Sequence, residues 1–139
     1  YQVFDSWAGV LSRELYQEFC IPYLQRIAEE VNKVPNIVFA KSAHFALEDL
    51  MNTDFNAIGL DWTMNPREVH QLNQSKVLQG NLDPTILYGS DSYLVQKTKE
   101  MLSSFSGISH IANLGHGVYP DTSWEKVKLF IDTIKQHRN

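Results

Sequence analysis

Apolar residues fall along this chain in short bursts, and the bursts alternate between two kinds of spacing. The first burst, QVFDSW at 2–7, is a compact strand-like run. Small residues follow, then Leu11, Leu15 and Phe19 at the i, i+4 spacing of a helix. Pro22 does not fit inside that helix, because it lacks an amide donor and clashes one turn back. The pattern therefore predicts helices over 12–20 and 22–33, with Pro22 in the first turn of the second and Leu24, Ile27 and Val31 on its apolar face. After Pro35 the β-rich NIVFAKS gives a second strand, and HFALEDLMN a helix with Phe45, Leu47, Leu50 and Met51 apolar. AIGLDW is the third strand.

Asn65-Pro66-Arg67-Glu68 combines a cap, a first-turn proline and a first-turn acid, so a helix with Val69 and Leu72 starts there. VLQGNLD is the fourth strand. It ends at Asp83-Pro84, a second cap-plus-proline start, leading into the short helix TILY. Ser90 opens the next helix, with Leu94, Thr98, Met101, Leu102 and Phe105 facing inward and Gly107 as its stop. SHIANLGH is the fifth strand. Thr122 to Glu125 has the spacing of a capping box, and Trp124, Val127, Phe130, Ile131 and Ile134 follow a 3.6-residue period.

The order is strand then helix, five times over. The strands are apolar without strict alternation, as strands covered on both faces are. Parallel neighbours need crossover connections, and helices supply them. An α/β fold follows, and two architectures fit it: a doubly wound open sheet, or part of a (β/α)₈ barrel, whose full circle takes about 250 residues. At 139 residues the chain has room for five barrel units rather than eight.

Composition narrows the chemistry. Apolar residues make up 43% and charged residues 20%, which is globular. The net charge of −4 offers no broad basic field for nucleic acid or an anionic membrane. The single cysteine, Cys20, forbids an intrachain disulfide and suits a reducing compartment. No run is long enough to span a membrane, and no signal-peptide pattern is visible. The chain opens on Tyr1, straight into a strand, so a segment of a longer polypeptide is expected.

Each strand ends in polar or small residues: Asp5-Ser6, Lys41-Ser42, Asp61-Trp62, Asn81 with Asp83, and Asn113 with His116. In a βα architecture these share the carboxyl rim, where sites are built. Structural uses compete at every one of them. Ser6 could bond a neighbouring amide, Asp61 and Asp83 could be caps, and Lys41 could lie along apolar surface. His116, between two glycines, is the strongest site candidate, since glycines allow close backbone approach and histidine titrates near neutrality. The five histidines make no paired ligand spacing, no serine sits in a G-x-S-x-G elbow, and no glycine-rich phosphate or dinucleotide loop is present.

FDSWAG at 4–9, FAKSAHFALEDL at 39–50, GLDW at 59–62, QGNLDP at 79–84 and NLGHGVYPDT at 113–122 occur in an order and spacing that resembles the uroporphyrinogen decarboxylase family. The resemblance spans essentially the whole chain. It implies the C-terminal part of a (β/α)₈ barrel, about five βα units over 1–139, with the N-terminal portion of the barrel absent. It implies a lyase of haem biosynthesis that needs no metal or cofactor and removes the four acetate carboxyls of uroporphyrinogen to leave methyls. It also implies a cytoplasmic enzyme, or a plastid one in a photosynthetic eukaryote, that is a homodimer when complete. Residue by residue, Ser6 and His116 match substrate contacts and Phe4 matches an apolar cleft wall. The family's central aspartate, arginines and active-site tyrosine have no counterpart here, so no catalytic residue is expected from this chain and the isolated segment is expected to be inactive. Two rivals stand beside this reading. One is a zinc-dependent corrinoid or coenzyme M methyltransferase on the same scaffold; the other is a truncated binding or assembly module.

Overall fold

The structure is a computed structural model that describes residues 1–72 and 75–137. Five strands, β1 (Gln2–Asp5), β2 (Ile37–Ala40), β3 (Ala57–Gly59), β4 (Val77–Leu82) and β5 (His110–Leu114), form one sheet. They stand in sequence order, and every neighbouring pair is parallel. Between and after them lie α1 (Arg13–Phe19), α2 (Ile21–Glu30), α3 (Leu47–Met51), α4 (Pro66–Leu72), α5 (Asp91–Ser104) and α6 (Trp124–Gln136). Single 3₁₀ turns occupy Ala8–Val10, His44–Ala46 and Pro84–Tyr88.

Strand order and curvature decide between the two architectures. A doubly wound sheet reverses its strand order at a switch point, and this one runs monotonically from β1 to β5. On a flat sheet, β1 and β4 would lie three strand spacings apart, roughly 14 Å, with their side chains standing perpendicular and parallel. Yet Gln2 Nε2 donates to Gln79 Oε1 at 3.0 Å across the two intervening strands. Those side chains meet only because the sheet curls toward that face. The chain is a five-strand arc of a (β/α)₈ barrel.

The convex face carries the core. Val38, Ala40, Ile58, Leu78 and Leu82 of the strands pack against Leu24, Ala28, Leu50, Met51, Val69, Leu94, Met101, Phe105 and Phe130. Phe4, Phe39, Gly59, Gln79 and Ile111 stand in register across the five strands on the concave face, and of these Phe4, Phe39 and Gln79 line a hollow there.

The caps read from the sequence at Asn65, Asp83 and Ser90 are in place, and Ser12 caps α1 as well. Ser12 and Ser90 accept from the amides of Leu15 and Tyr93, each at 3.3 Å, and Asp83 accepts from Thr85 N at 2.8 Å. Asn65 accepts from Arg67 N while its own amide donates to Glu68. The capping box at Thr122 is not formed: Ser123 is the cap residue, and its hydroxyl bonds Glu125 instead of a backbone amide. Expected helix faces also shift. On α1 the buried residue is Tyr16, whereas Leu15 and Phe19 are exposed. On α2 Leu24 and Ala28 are buried, and Ile27 and Val31 are not. On α6 Phe130 and Thr133 are buried, while Trp124 is 69% exposed. These exposed apolar residues sit on the outermost helices, α1 and α2 at one sheet edge and α6 at the other.

His110 gives the fold a pH dependence. Its ring stacks on Phe105 at 3.6 Å with the planes 4° apart, and Nε2 donates to the Gly80 carbonyl at 2.6 Å. Burial lowers its pKa below the ordinary 6.5, and the Gly80 hydrogen bond offsets part of that. The unfolded chain therefore takes up this proton first as pH falls. The stability contribution is complete above about pH 6.5 and is lost downward through the folded pKa. Urea denaturation at pH 7.5 and 5.5 is expected to show lower stability at the acid end, with a smaller difference in His110→Gln.

Candidate active site

The rim is assembled from strand ends. After β1 the chain turns through Ser6, and the Trp7 amide bonds Asp5 Oδ1 at 3.3 Å. Asp5, rather than Ser6, does the turn's local work. The Ser6 hydroxyl makes no hydrogen bond among the described residues and is exposed. Behind the turn lies Tyr16, fully buried, with its hydroxyl beside the Asp5 carboxylate. Burial first, then the neighbouring Asp5 charge, push the pKa of both Tyr16 and Cys20 upward. Neither lines the hollow on the concave face.

After β3, Asp61 is 1% exposed and accepts from Ser42 N at 2.7 Å and Thr63 N at 2.8 Å. Asp83 caps the Pro84–Tyr88 turn. Neither carboxylate faces the hollow. After β5, Gly115 donates to the Leu82 carbonyl at 2.7 Å, and the chain then presents His116. The loop beyond is fastened by Tyr88, whose hydroxyl donates to Asp121 at 2.5 Å, and by Tyr88 and Tyr119, whose rings lie 6.3 Å apart.

Phe4 and Ser6, with His116 more than a hundred residues further along the sequence, line one hollow of ≈ 800 Å³ on the concave face. Phe4, Phe39 and His116 stand on its wall in an edge-to-face series that continues to Trp62. Phe4 meets Phe39 at 6.2 Å, Phe39 meets His116 at 6.1 Å, and His116 meets Trp62 at 6.3 Å. Gln2 and Gln79 add amide groups, and among the described residues Lys135 is the one lysine or arginine on the lining. The hollow also runs around the free edge of β5 to Val127, Phe130, Ile131 and Ile134 of α6. Among the described residues, no three His, Cys, Asp or Glu side chains come together to hold a metal.

The sequence pattern of the family described as Uroporphyrinogen decarboxylase (URO-D) matches residues 1–137. The chain belongs to the uroporphyrinogen decarboxylase family. It is 41% identical over 146 residues to the human uroporphyrinogen decarboxylase, covering 98% of this chain and 40% of that one. The uroporphyrinogen decarboxylase of Salinibacter ruber is 44% identical over 141 residues, with the same coverages. The Schizosaccharomyces pombe uroporphyrinogen decarboxylase is 42% identical over 149 residues, 98% of this chain and 42% of that one. The chain thus spans about two-fifths of the curated relatives it matches. A solved methyltransferase from Methanosarcina mazei superposes with a TM-score of 0.86 over 99% of this chain and 42% of that one. At 21% identity that likeness is one of fold.

Phe39 was not singled out from sequence, although it lies in the FAKSAHFALEDL block of the decarboxylase resemblance. Period-2 alternation would have exposed it, but β2 is covered on both sides and lacks alternation.

Proposed function

We propose that this chain supplies the C-terminal five βα units of a uroporphyrinogen decarboxylase and contributes part of its substrate pocket. The reaction takes uroporphyrinogen III to coproporphyrinogen III by loss of four acetate carboxyls. The observation that carries the reading is the meeting of Phe4, Ser6 and His116 on a single concave surface. In this reading the Ser6 hydroxyl, unengaged by protein, donates to a substrate carboxylate. His116 bonds a second carboxylate or orients the macrocycle from its seat between Phe39 and Trp62. Phe4 and Phe39 give the flat tetrapyrrole an apolar wall. Such a wall disfavours the charged carboxylate and tolerates neutral CO₂. As the C–C bond breaks, its electron pair passes into the substrate's own protonated pyrrole. A proton delivered to the exocyclic carbon then completes the methyl group, and the proton added to the ring leaves to restore the neutral pyrrole.

The proton donor and most of the positive charge lie, on this reading, in an N-terminal portion that closes the barrel. An octa-anionic substrate is poorly matched by a lining that, among the described residues, carries one lysine and no arginine. The free edges of β1 and β5, with exposed Trp7, Phe19 and Tyr23 on one side and Ile111, Trp124 and Ile131 on the other, suit further βα units packed against them. The complete enzyme is taken to be a homodimer of the cytoplasm, or of the plastid in a photosynthetic eukaryote. Among the described residues no helix is long and apolar enough to cross a membrane, which is compatible with that location.

Calorimetric titration of uroporphyrinogen III, kept reduced and anaerobic, tests the proposal. Two hydrogen bonds to charged groups give about 3–6 kcal/mol, so this chain alone is expected to bind at roughly millimolar strength. Joined to the N-terminal portion it is expected to bind at least a hundredfold tighter. Micromolar binding by this chain alone, or no gain on completion, would contradict the shared pocket.

A further inference from the structure

We propose that Asp61 is a positioning residue that sets where His116 stands, an inference that rests on His116 being a substrate contact. The Asp61 carboxylate is buried and fully engaged by neutral donors. Oδ2 accepts from Ser42 N at 2.7 Å, and Oδ1 accepts from Thr63 N at 2.8 Å and from Thr63 Oγ1 at 2.5 Å. Its backbone carbonyl accepts from Asn81 Nδ2 at 2.9 Å and from Met64 N at 3.2 Å. One residue thereby ties together the carboxyl ends of β2, β3 and β4.

The end of β5 joins by contact. A Cβ added at Gly115 would lie 2.5 Å from Trp62 N and 3.0 Å from the Asp61 carbonyl carbon, so the residue before His116 rests on the Asp61–Trp62 peptide. The Trp62 ring then meets His116 nearly perpendicular, at 87°. Any displacement of that peptide moves both the support beneath His116 and the ring beside it.

The residue type matters as much as the location. Ser42 sits at φ 58, a left-handed conformation that serine seldom adopts, and the Asp61 carboxylate holds its amide there. Two backbone N–H groups on opposite oxygens need two acceptors, which a carboxylate has and an amide does not. Asparagine would turn its NH₂ toward Ser42 N–H or Thr63 N–H, setting donor against donor. Asp61 does not line the hollow, so it acts through its neighbours and not on substrate.

A double-mutant cycle in the complete enzyme tests this, comparing Asp61→Asn, His116→Ala and the double variant by kcat, KM and thermal midpoint. Asp61→Asn is expected to raise KM about three- to thirtyfold with kcat changed less than twofold, and to add nothing to KM once His116 is alanine. Gly115→Ala leaves the carboxylate intact and displaces the same peptide from the other side. It is expected to give the same KM rise and the same non-additivity, and it carries the cycle alone should Asp61→Asn not fold. Variants that lower only the thermal midpoint, or whose KM effects multiply with that of His116→Ala, would overturn the proposal alone. An unchanged KM in His116→Ala would overturn the substrate contact and this proposal together.

Discussion

Replacing His116 by alanine in the complete barrel is expected to lower kcat/KM by about 10–150-fold, the cost of one charge-assisted hydrogen bond at about 1.5–3 kcal/mol. The fold should scarcely notice. His116 is exposed, and its protein contacts are edge-to-face meetings with Phe39 and Trp62 rather than core packing. A thermal midpoint within a few degrees of the parent, beside the kinetic loss, is the signature of a pocket residue. Ser6→Ala removes the other hydrogen bond to a substrate carboxylate, so its expected loss falls in the same range, about 10–150-fold. Steady-state assays of the two variants check both values, and parent-like kcat/KM in His116→Ala would remove His116 from the pocket.

A large stability effect is expected at Gly80, inside β4, where a tight contact and a positive φ coincide. Its φ of +136 is one that side chains rarely adopt, and an added Cβ would stand 2.7 Å from the Leu60 carbonyl oxygen. That oxygen belongs to β3's own continuation, so it cannot withdraw without breaking the Leu60 N to Gln79 O bond of 2.8 Å next to it. Backbone strain of about 1–3 kcal/mol and overpacking of a similar size combine, so Gly80→Ala is expected to cost about 2–6 kcal/mol. Gly107 is the control. It too has positive φ, +81, but a Cβ there meets nothing within 4 Å. Gly107→Ala is expected to cost only about 1 kcal/mol. Urea denaturation of the two variants separates steric conflict from backbone preference; equal losses would remove the Leu60 contact as the cause.

Much of this fold is legible in the sequence because its punctuation is local. Ser90, Asp83 and the Asn65-Pro66 pair announce their helices through bonds made within three residues. What was not legible depends on distant partners. The choice between open sheet and barrel turned on curvature, fixed by Gln2 meeting Gln79 across 77 positions. The faces of α1 and α6 were misread because their apolar stripes are only partly used by this arc. Leu15, Phe19, Trp124 and Ile131 look like core by period and remain exposed. Likewise Thr122 had the spacing of a cap, but its hydroxyl faces Tyr88 at 3.5 Å while Ser123 takes the cap position. In the candidate site, Ser6, Phe4 and His116 stood out through their motif blocks and share the hollow. The role of Asp61 was hidden, since no spacing says that Ser42, Thr63 and Asn81 converge on it.

The central claim is that this rim is half of a pocket and works only when the circle is closed. The direct measurement is CO₂ release from uroporphyrinogen III by this chain alone, by the purified N-terminal portion alone, and by the two together. Activity is expected only in the combined sample, rising with the fraction of chain bound to its complement. Turnover by this chain alone at the rate of the complete enzyme, or none from a well-folded complex of the two, would contradict it.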